Sequence, residues 1–378
     1  QAAEGGNPSA AVNLGNDLMY RNDASDAQMA EAVAWYKQAA EGRSSRAMAE
    51  LGRAYRFAKG VKRNDATAVA WWAKGDALGN DYSTYQLARL YRSGTGVAKD
   101  LDKAAALFSK AGANGYAKAY HALGNMYRFD SVGTFEDAVD AWREAAKLGH
   151  AAAYDELSVA YYFGRGVPQD YPEAARLSMI GAEKGNLRTQ GTIADMLFNG
   201  IGVTRDEMAA VAWYQKAVDG GYAYAMHKLA IAYRDGRGVE RDLEKAFELF
   251  SQAAEKGEKR SYLSLGYALT NGEGVEADPQ AGLKWYFRSD NRIAKSNIAE
   301  LYQKGIGVAQ SDKKARHWYR RSANQKPPRA MRKYAEILIE DGPGPGGDYT
   351  QPQILRRPEV IHGLRNLVQN AVDFARTK

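Results

Sequence analysis

The side chains best placed to do chemistry in this sequence are cationic. Within residues 313–333 stand Lys313, Lys314, Arg316, Arg320, Arg321, Lys326, Arg329, Arg332 and Lys333, with no acid among them. The 378-residue chain has a formal charge of +7 and residues 334–378 sum to −1, so the first 312 residues are also close to neutral. The basic excess is one local patch. Such a field steers anions. The expected partner is an acidic protein, ahead of an anionic polymer or an anionic membrane face, and the competing role is a solvated end cap. Nucleic acid is disfavoured, because the cations stay at one end instead of running along the chain. Arg316, Arg320 and Arg321 fall about one helical turn apart beside Trp318 and Tyr319, the composition of an interface hot spot. Other chemistry is thinly represented. There is no cysteine, hence no thiol nucleophile and no thiolate metal site. The five histidines, at 121, 150, 227, 317 and 362, are far apart in sequence and show no metal-ligand spacing. No carboxylate pair recurs in a way that suggests acid–base work. No catalytic residue, cofactor or metal is expected. No apolar run approaches the ~18 residues of a membrane span.

A Gly-x-Gly-Val tetrad recurs at 94–97, 164–167, 200–203, 236–239, 272–275 and 305–308, with degenerate copies at 58–61 and 131–134. Counting from Gly60, the second glycines are 36, 37, 33, 36, 36, 36 and 33 residues apart. The tetrads follow helical patterns rather than strands, so a dinucleotide-binding role is rejected. Gly96, Gly166, Gly202, Gly238, Gly274 and Gly307 are instead structural, turning the chain at positive φ.

Two helices must flank each turn. The first reads Ala-x-x-x-Leu-Gly-x-x-Tyr, as at Ala47–Tyr55 and Ala119–Tyr127, with apolar groups on one helical face. The small residue after the leucine (Gly52, Ala88, Gly124, Ser158, Ala230, Gly266) allows close approach of the next helix. The second reads Ala-Trp-Tyr-x-x-Ala, as at Ala34–Ala39 and Ala212–Ala217. Trp35, Trp71, Trp142, Trp213, Trp285 and Trp318 align with Leu107, Leu177 and Leu249 in other copies, which marks a packing role. The position after them varies widely (Tyr36, Trp72, Phe108, Arg143, Ser178, Tyr214, Phe250, Tyr286, Tyr319). That variation predicts partial exposure, and makes Tyr36, Trp72, Tyr214, Tyr286 and Tyr319 candidate partner-binding residues.

This pattern over residues 1–341 resembles the Sel1-like repeat, a relative of the tetratricopeptide repeat. The resemblance implies an all-α fold, an α/α superhelical solenoid of about nine helix pairs, and a non-catalytic adaptor in signalling, secretion or envelope assembly. Stacking is required physically as well, since no pair can bury its own face alone. Gln1–Gly5 match Gln38–Gly42, the tail of a second helix, so the chain is expected to be a piece of a longer protein. Residues 342–351, rich in Pro and Gly, read as a linker. Residues 352–378 are expected to form an amphipathic helix with Ile361, Leu364, Leu367, Val368, Ala371, Val372 and Ala375 on one stripe. Residues 352–376 resemble the N-box of a RegB-type sensor histidine kinase, which would put Asn370 at the residue that helps hold the Mg²⁺ of ATP. The phosphoacceptor and glycine-rich boxes are absent. A kinase-coupled regulator and a polysaccharide-binding envelope scaffold are the alternative functions. A cysteine-free chain suits an oxidising envelope, favoured slightly over the cytoplasm.

Overall fold

The computed structural model describes residues 3, 6–130 and 132–323. Among these it contains eighteen α-helices and no strand. Two compact units divide the chain, Gln1–Asp242 and Leu243–Lys378. The N-terminal unit holds α1 (Pro8–Met19), α2 (Asp26–Glu41), α3 (Ser45–Phe57), α4 (Asp65–Ala77), α5 (Asp81–Ser93), α6 (Leu101–Ala113) and α7 (Ala117–Phe129). It continues with α8 (Phe135–Lys147), α9 (Ala151–Phe163), α10 (Tyr171–Glu183), α11 (Leu187–Asn199), α12 (Glu207–Asp219) and α13 (Ala223–Asp235). The C-terminal unit holds α14 (Leu243–Glu255), α15 (Lys259–Asn271), α16 (Pro279–Arg288), α17 (Arg292–Lys304) and α18 (Asp312–Ala323). The expected first helices are the odd-numbered ones and the second helices the even. The fold is an all-α repeat solenoid, as the sequence predicts. The linker 342–351 and the helix 352–378 lie outside the described residues.

Each second helix starts where a short polar side chain can receive its free amides. Asn64, Asp100, Asp170 and Asp206 each accept from the backbone N–H three residues on, a cap worth about 1 kcal/mol. The same residues donate their own N–H to the preceding first helix, at the Tyr55, Tyr91, Tyr161 and Leu197 carbonyls, 2.9–3.0 Å away. One residue thus begins one helix and ties it to the other.

The tetrad glycines do two different things. The first ends the first helix in the left-handed region, as Gly94 does with φ +69° and its N–H on the Leu90 carbonyl. The second rests on the previous repeat. A Cβ at Gly238 would collide with the Glu207 carbonyl, in the first turn of α12. The same holds for Gly96 against Asp65, Gly166 against Phe135, Gly202 against Tyr171 and, in the C-terminal unit, Gly274 against Leu243. The turn is therefore also the inter-repeat contact.

Within the N-terminal unit each first helix packs on its second helix and each second helix on the next first helix. Consecutive first helices also touch (α1 with α3, α3 with α5, α9 with α11), as α15 and α17 do in the C-terminal unit, whereas consecutive second helices make no comparable contact. First helices therefore line the inner, tighter side of each unit. Two repeats depart from the usual length. Residues 130–134 join α7 to α8 where residues 94–100 join α5 to α6, and α16 is 10 residues long where α4, α6, α8, α10, α12 and α14 each have 13.

Gly236 and Gly238 separate the two glycine roles experimentally. Both have positive φ, +66° and +70°, but a Cβ on Gly236 meets only the Arg241 side chain at 3.2 Å. Gly236→Ala should cost about 1–2 kcal/mol for the left-handed backbone. Gly238→Ala should cost about 1–3 kcal/mol more for forced overpacking. Equal losses in urea denaturation would show that the Glu207 contact does not constrain the stack.

Candidate partner-binding surfaces

The aromatic doublets are the most distinctive side chains, and the structure reverses their expected roles. Tyr36, Trp72, Tyr214, Tyr286 and Tyr319, predicted to be partly exposed, are all at most 2% exposed. They cannot offer a partner surface. The tryptophans before them, Trp35, Trp71, Trp213, Trp285 and Trp318, are half-buried. They support the core from its edge and do not fill it. Trp142 is the exception, fully buried, because it belongs with the second set. It lies eight residues past its cap Thr134, as Trp72 lies eight past Asn64.

The reason is the small residue on the facing first helix. A Cβ on Gly15 would enter the Tyr36 ring, one on Gly52 the Trp72 ring, one on Gly124 the Trp142 ring and one on Gly266 the Tyr286 ring. Where the repeat has Ser178 instead of an aromatic, the facing residue is Ser158 and the two hydroxyls are 2.6 Å apart. The polar tips of these rings cross to the inner face. Trp142 Nε1 donates to Asn125 Oδ1 at 3.2 Å and Tyr36 OH donates to Asn16 Oδ1 at 2.8 Å. Tyr214 OH donates to Asp195 at 2.5 Å.

Four of the half-buried tryptophans carry a cation one turn later over the ring. Lys74 lies 4.4 Å from the Trp71 centroid, Lys216 4.0 Å from Trp213, Arg288 4.3 Å from Trp285 and Arg321 5.0 Å from Trp318. In the C-terminal unit each of these pairs gains a further ring. Tyr262 is 5.4 Å from Trp285, Phe287 is 5.3 Å from Trp318, and Arg288 also lies 5.0 Å from Tyr262. Of the basic stretch, Lys313, Lys314, Arg316, Arg320 and Arg321 stand on α18, with Lys314 5.0 Å over the Tyr302 ring. Lys313 and Arg320 are exposed and have no carboxylate partner among the described residues, whereas exposed Arg321 lies close enough to Asp290 to help Lys295 hold that carboxyl below its usual range. Lys326, Arg329, Arg332 and Lys333 lie outside the described residues. The structure thus brings α18 cations and Trp318 together, and leaves Tyr319 inside, donating to Gln303 at 3.1 Å.

The inner face of the N-terminal unit holds features that sequence spacing concealed. Ion pairs link successive first-helix segments: Arg92 with Asp130, Arg128 with Glu156, Arg188 with Asp155 at 3.1 Å, and Lys228 with Asp195 at 2.9 Å. His121 and His150, distant in sequence, pack with ring centroids 4.7 Å apart and planes tilted by 53°. Burial, and then the neighbouring His150, pushes His121 down to about 4. Burial pushes the Asp155 carboxyl up to about 6 despite Arg188. Among the described residues no three His, Asp or Glu groups are placed to hold a metal ion, and no helix is long and apolar enough to cross a membrane.

Comparison with known proteins agrees with this architecture. The Sel1 repeat model matches residues 8–44, 45–80, 81–116, 151–186, 193–222, 223–258, 260–289 and 293–327. The unmatched stretch between the third and fourth matches contains the degenerate tetrad at 131–134, and still folds as α7 and α8. The crystal structure of c5321, a protective antigen present in uropathogenic Escherichia coli strains and displaying an SLR fold, superposes with a TM-score of 0.75 at 30% identity. That match covers 82% of this chain and 67% of the antigen. A Sel1 repeat protein from Oxalobacter formigenes superposes with a TM-score of 0.58 at 26% identity, covering 89% of each chain. A 35-residue stretch is 80% identical to the sensor histidine kinase RegB of Cereibacter sphaeroides, in keeping with the resemblance at 352–376. That stretch is 9% of this chain and spans 8% of the kinase.

Two measurements follow from these side chains. Trp142→Ala should cost about 3–5 kcal/mol, the range for an emptied aromatic site, and Trp213→Ala under about 2 kcal/mol, since its outer face keeps water and Lys216. A larger loss at Trp213 would restore it to the core. The second concerns pH. Neutral His121 is favoured by folding, so its contribution is complete above pH 6.5 and is lost as pH falls through about 4. Asp155 has the opposite sign: its contribution is complete below 3.8 and is lost as pH rises through about 6. His121→Gln should flatten the fall in stability between pH 6 and 4, and Asp155→Asn should steepen it. Unchanged profiles in both would contradict this assignment.

Proposed function

The chain belongs to the Sel1 repeat family, whose members are typically non-catalytic protein-binding scaffolds, and we propose that it is an adaptor that docks an acidic protein partner on α16 and α18. The setting that suits such an adaptor is bacterial signalling, secretion or envelope assembly. The observation that carries the reading is the layering of Arg288 on Trp285 and Tyr262, and of Arg321 on Trp318 beside exposed Phe287. Guanidinium groups held over aromatic rings are positioned to receive carboxylates while the rings bury against apolar partner surface. A membrane or polymer would need only the charge, and the ordered aromatic layer favours a protein.

The partner is to be recovered from the source cell with the intact chain as bait. Arg320→Glu with Arg321→Glu should weaken binding by at least tenfold and flatten its salt dependence. Unchanged affinity and salt dependence would reduce the patch to a solvated cap. Isothermal titration of the intact chain with Mg·ATP should give no heat of binding, and saturable binding would favour the nucleotide-linked reading of the RegB-like segment instead.

A further inference from the structure

A second cation–aromatic cluster lies in the N-terminal unit, on its inner face, and neither the basic stretch nor the doublets account for it. The Arg53 guanidinium on α3 sits between two rings, 5.6 Å from the centroid of Tyr20 and 5.6 Å from that of Tyr82 on α5. Its Nη1 donates to Tyr20 OH at 2.9 Å, and Tyr20 OH donates to Glu50 at 2.6 Å. One repeat further, the Arg89 guanidinium lies 5.8 Å from the Tyr85 centroid and donates to Gln86 Oε1 at 3.1 Å. The Tyr85 ring packs 5.2 Å from Tyr116, at the start of α7. Burial, then Tyr85 and Tyr82, push the Tyr116 hydroxyl up, while Arg53 and Arg89 pull it down, so all five groups share one neighbourhood.

This cluster has unspent positive charge. Arg53 has the Glu50 carboxylate 3.5 Å away. Arg89 is exposed and has no carboxylate partner among the described residues, and Arg46 reaches only the Asn13 side-chain oxygen, at 3.5 Å. Farther along the same face the cations are matched by carboxylates, Arg128 by Glu156, Arg188 by Asp155 and Lys228 by Asp195. The cationic stretch therefore spans few repeats, too short for a nucleic-acid backbone and long enough for a peptide.

The spacing says more. Arg53 and Arg89 occupy the same repeat position, nine residues past the caps Ser44 and Asn80. Their first helices touch, and touching helices have axes about 8–10 Å apart. A polyproline-II strand advances about 9.3 Å in three residues and brings residue i+3 to the same side as residue i. We propose that the Arg53–Arg89 cluster binds an extended acidic peptide in polyproline-II form, with carboxylates three residues apart. One carboxylate meets each arginine, and the rings between are packed by Tyr82 and Tyr85. Tyrosine-lined grooves suit such a strand because it loses little conformational entropy on binding.

The test uses the intact chain and a fluorescein-labelled peptide, Gly-Glu-Pro-Pro-Glu-Pro-Pro-Gly, read by anisotropy at low salt. Saturable binding is expected, at least tenfold weaker for the Gln-Pro-Pro-Gln version and several-fold weaker when the two glutamates are adjacent. Arg89→Glu, on an exposed side chain, should abolish binding without changing the circular dichroism. Glu50→Gln, which removes the competing carboxylate, should tighten binding several-fold, a gain that a merely structural residue would not give. Arg320→Glu with Arg321→Glu should leave it unchanged. Failure of the spacing or Arg89 dependence would overturn the proposal, as would tighter binding of a single-stranded oligonucleotide with the same Arg89 dependence. Loss of the probe only in the Arg320/Arg321 variant would also overturn it, placing peptide binding on α18.

Discussion

The contact that orders the stack is a glycine α-carbon against a peptide carbonyl. The second glycine of each well-formed tetrad in the N-terminal unit sits so close to the first turn of the preceding second helix that no side chain fits between. A single added methyl would collide with backbone, which yields far less readily than a flexible side chain. Positive φ at the same residue sends the chain into the next cap, where the aspartate or asparagine starts the following helix. Turn geometry, helix start and repeat-to-repeat distance are therefore one constraint, and its recurrence about every 36 residues is the repeat itself.

The repeat that breaks the constraint clarifies it. The atoms nearest a Cβ at Gly133 belong to the Tyr127 ring and the Asp137 carboxylate, within its own repeat, where the well-formed tetrads place the backbone of the preceding second helix. The shortened connection at 130–134 has lost the inter-repeat contact. Two ion pairs stand near it, Arg92 with Asp130 on one side and Arg128 with Glu156 on the other. Both pairs are largely shielded from water, where paired charges hold more firmly than at an open surface. Comparable pairs, Arg188 with Asp155 and Lys228 with Asp195, also join repeats whose glycine contact is intact, so here the ion pairs act without the backbone contact that accompanies them elsewhere. The family pattern also fails over this stretch.

Much of this was legible in the residues. The tetrad, the two helical patterns and the left-handed glycines follow from spacing and from what glycine alone can adopt. The register of the aromatic doublets did not follow, because two adjacent aromatics on a helix differ by about 100° and either can face inward. The deciding signals were present but indirect. The cap residues at 64, 100, 134, 170 and 206 count forward to Trp72, Phe108, Trp142, Ser178 and Tyr214, and the small residues Gly52, Gly124 and Ser158 on the facing helices match them in size. Variation at that position reflected paired changes across a buried contact, with glycine facing tryptophan and serine facing serine, and not exposure. At the end of α2 the left-handed residue is Arg43, at φ +59°. The His121–His150 pair and the Arg53–Tyr82 contact join different repeats, so no motif within one period could show them.

Separating the doublet into an inner and an outer member explains how one frame can carry different surfaces. The inner aromatic is fixed by the facing glycine, alanine or serine. The outer position tolerates tryptophan or leucine, and where it is tryptophan a lysine or arginine one turn on often lies against the ring. On the inner side, the position that presents Arg53 and Arg89 presents Asn125 and Asp195 in later repeats. In those later repeats the same position receives the polar tip of a core ring, so changing it alters both the face and the anchoring of the core. Arginine there leaves its charge outward, while Trp72 in its repeat satisfies its Nε1 on the Ala49 carbonyl at 3.1 Å instead. The backbone bond frees the side-chain position for recognition. Because equivalent positions on neighbouring first helices are held apart by the glycine contact, the spacing of any ligand groups along the inner face is set by backbone packing, and the surface residues choose only their sign.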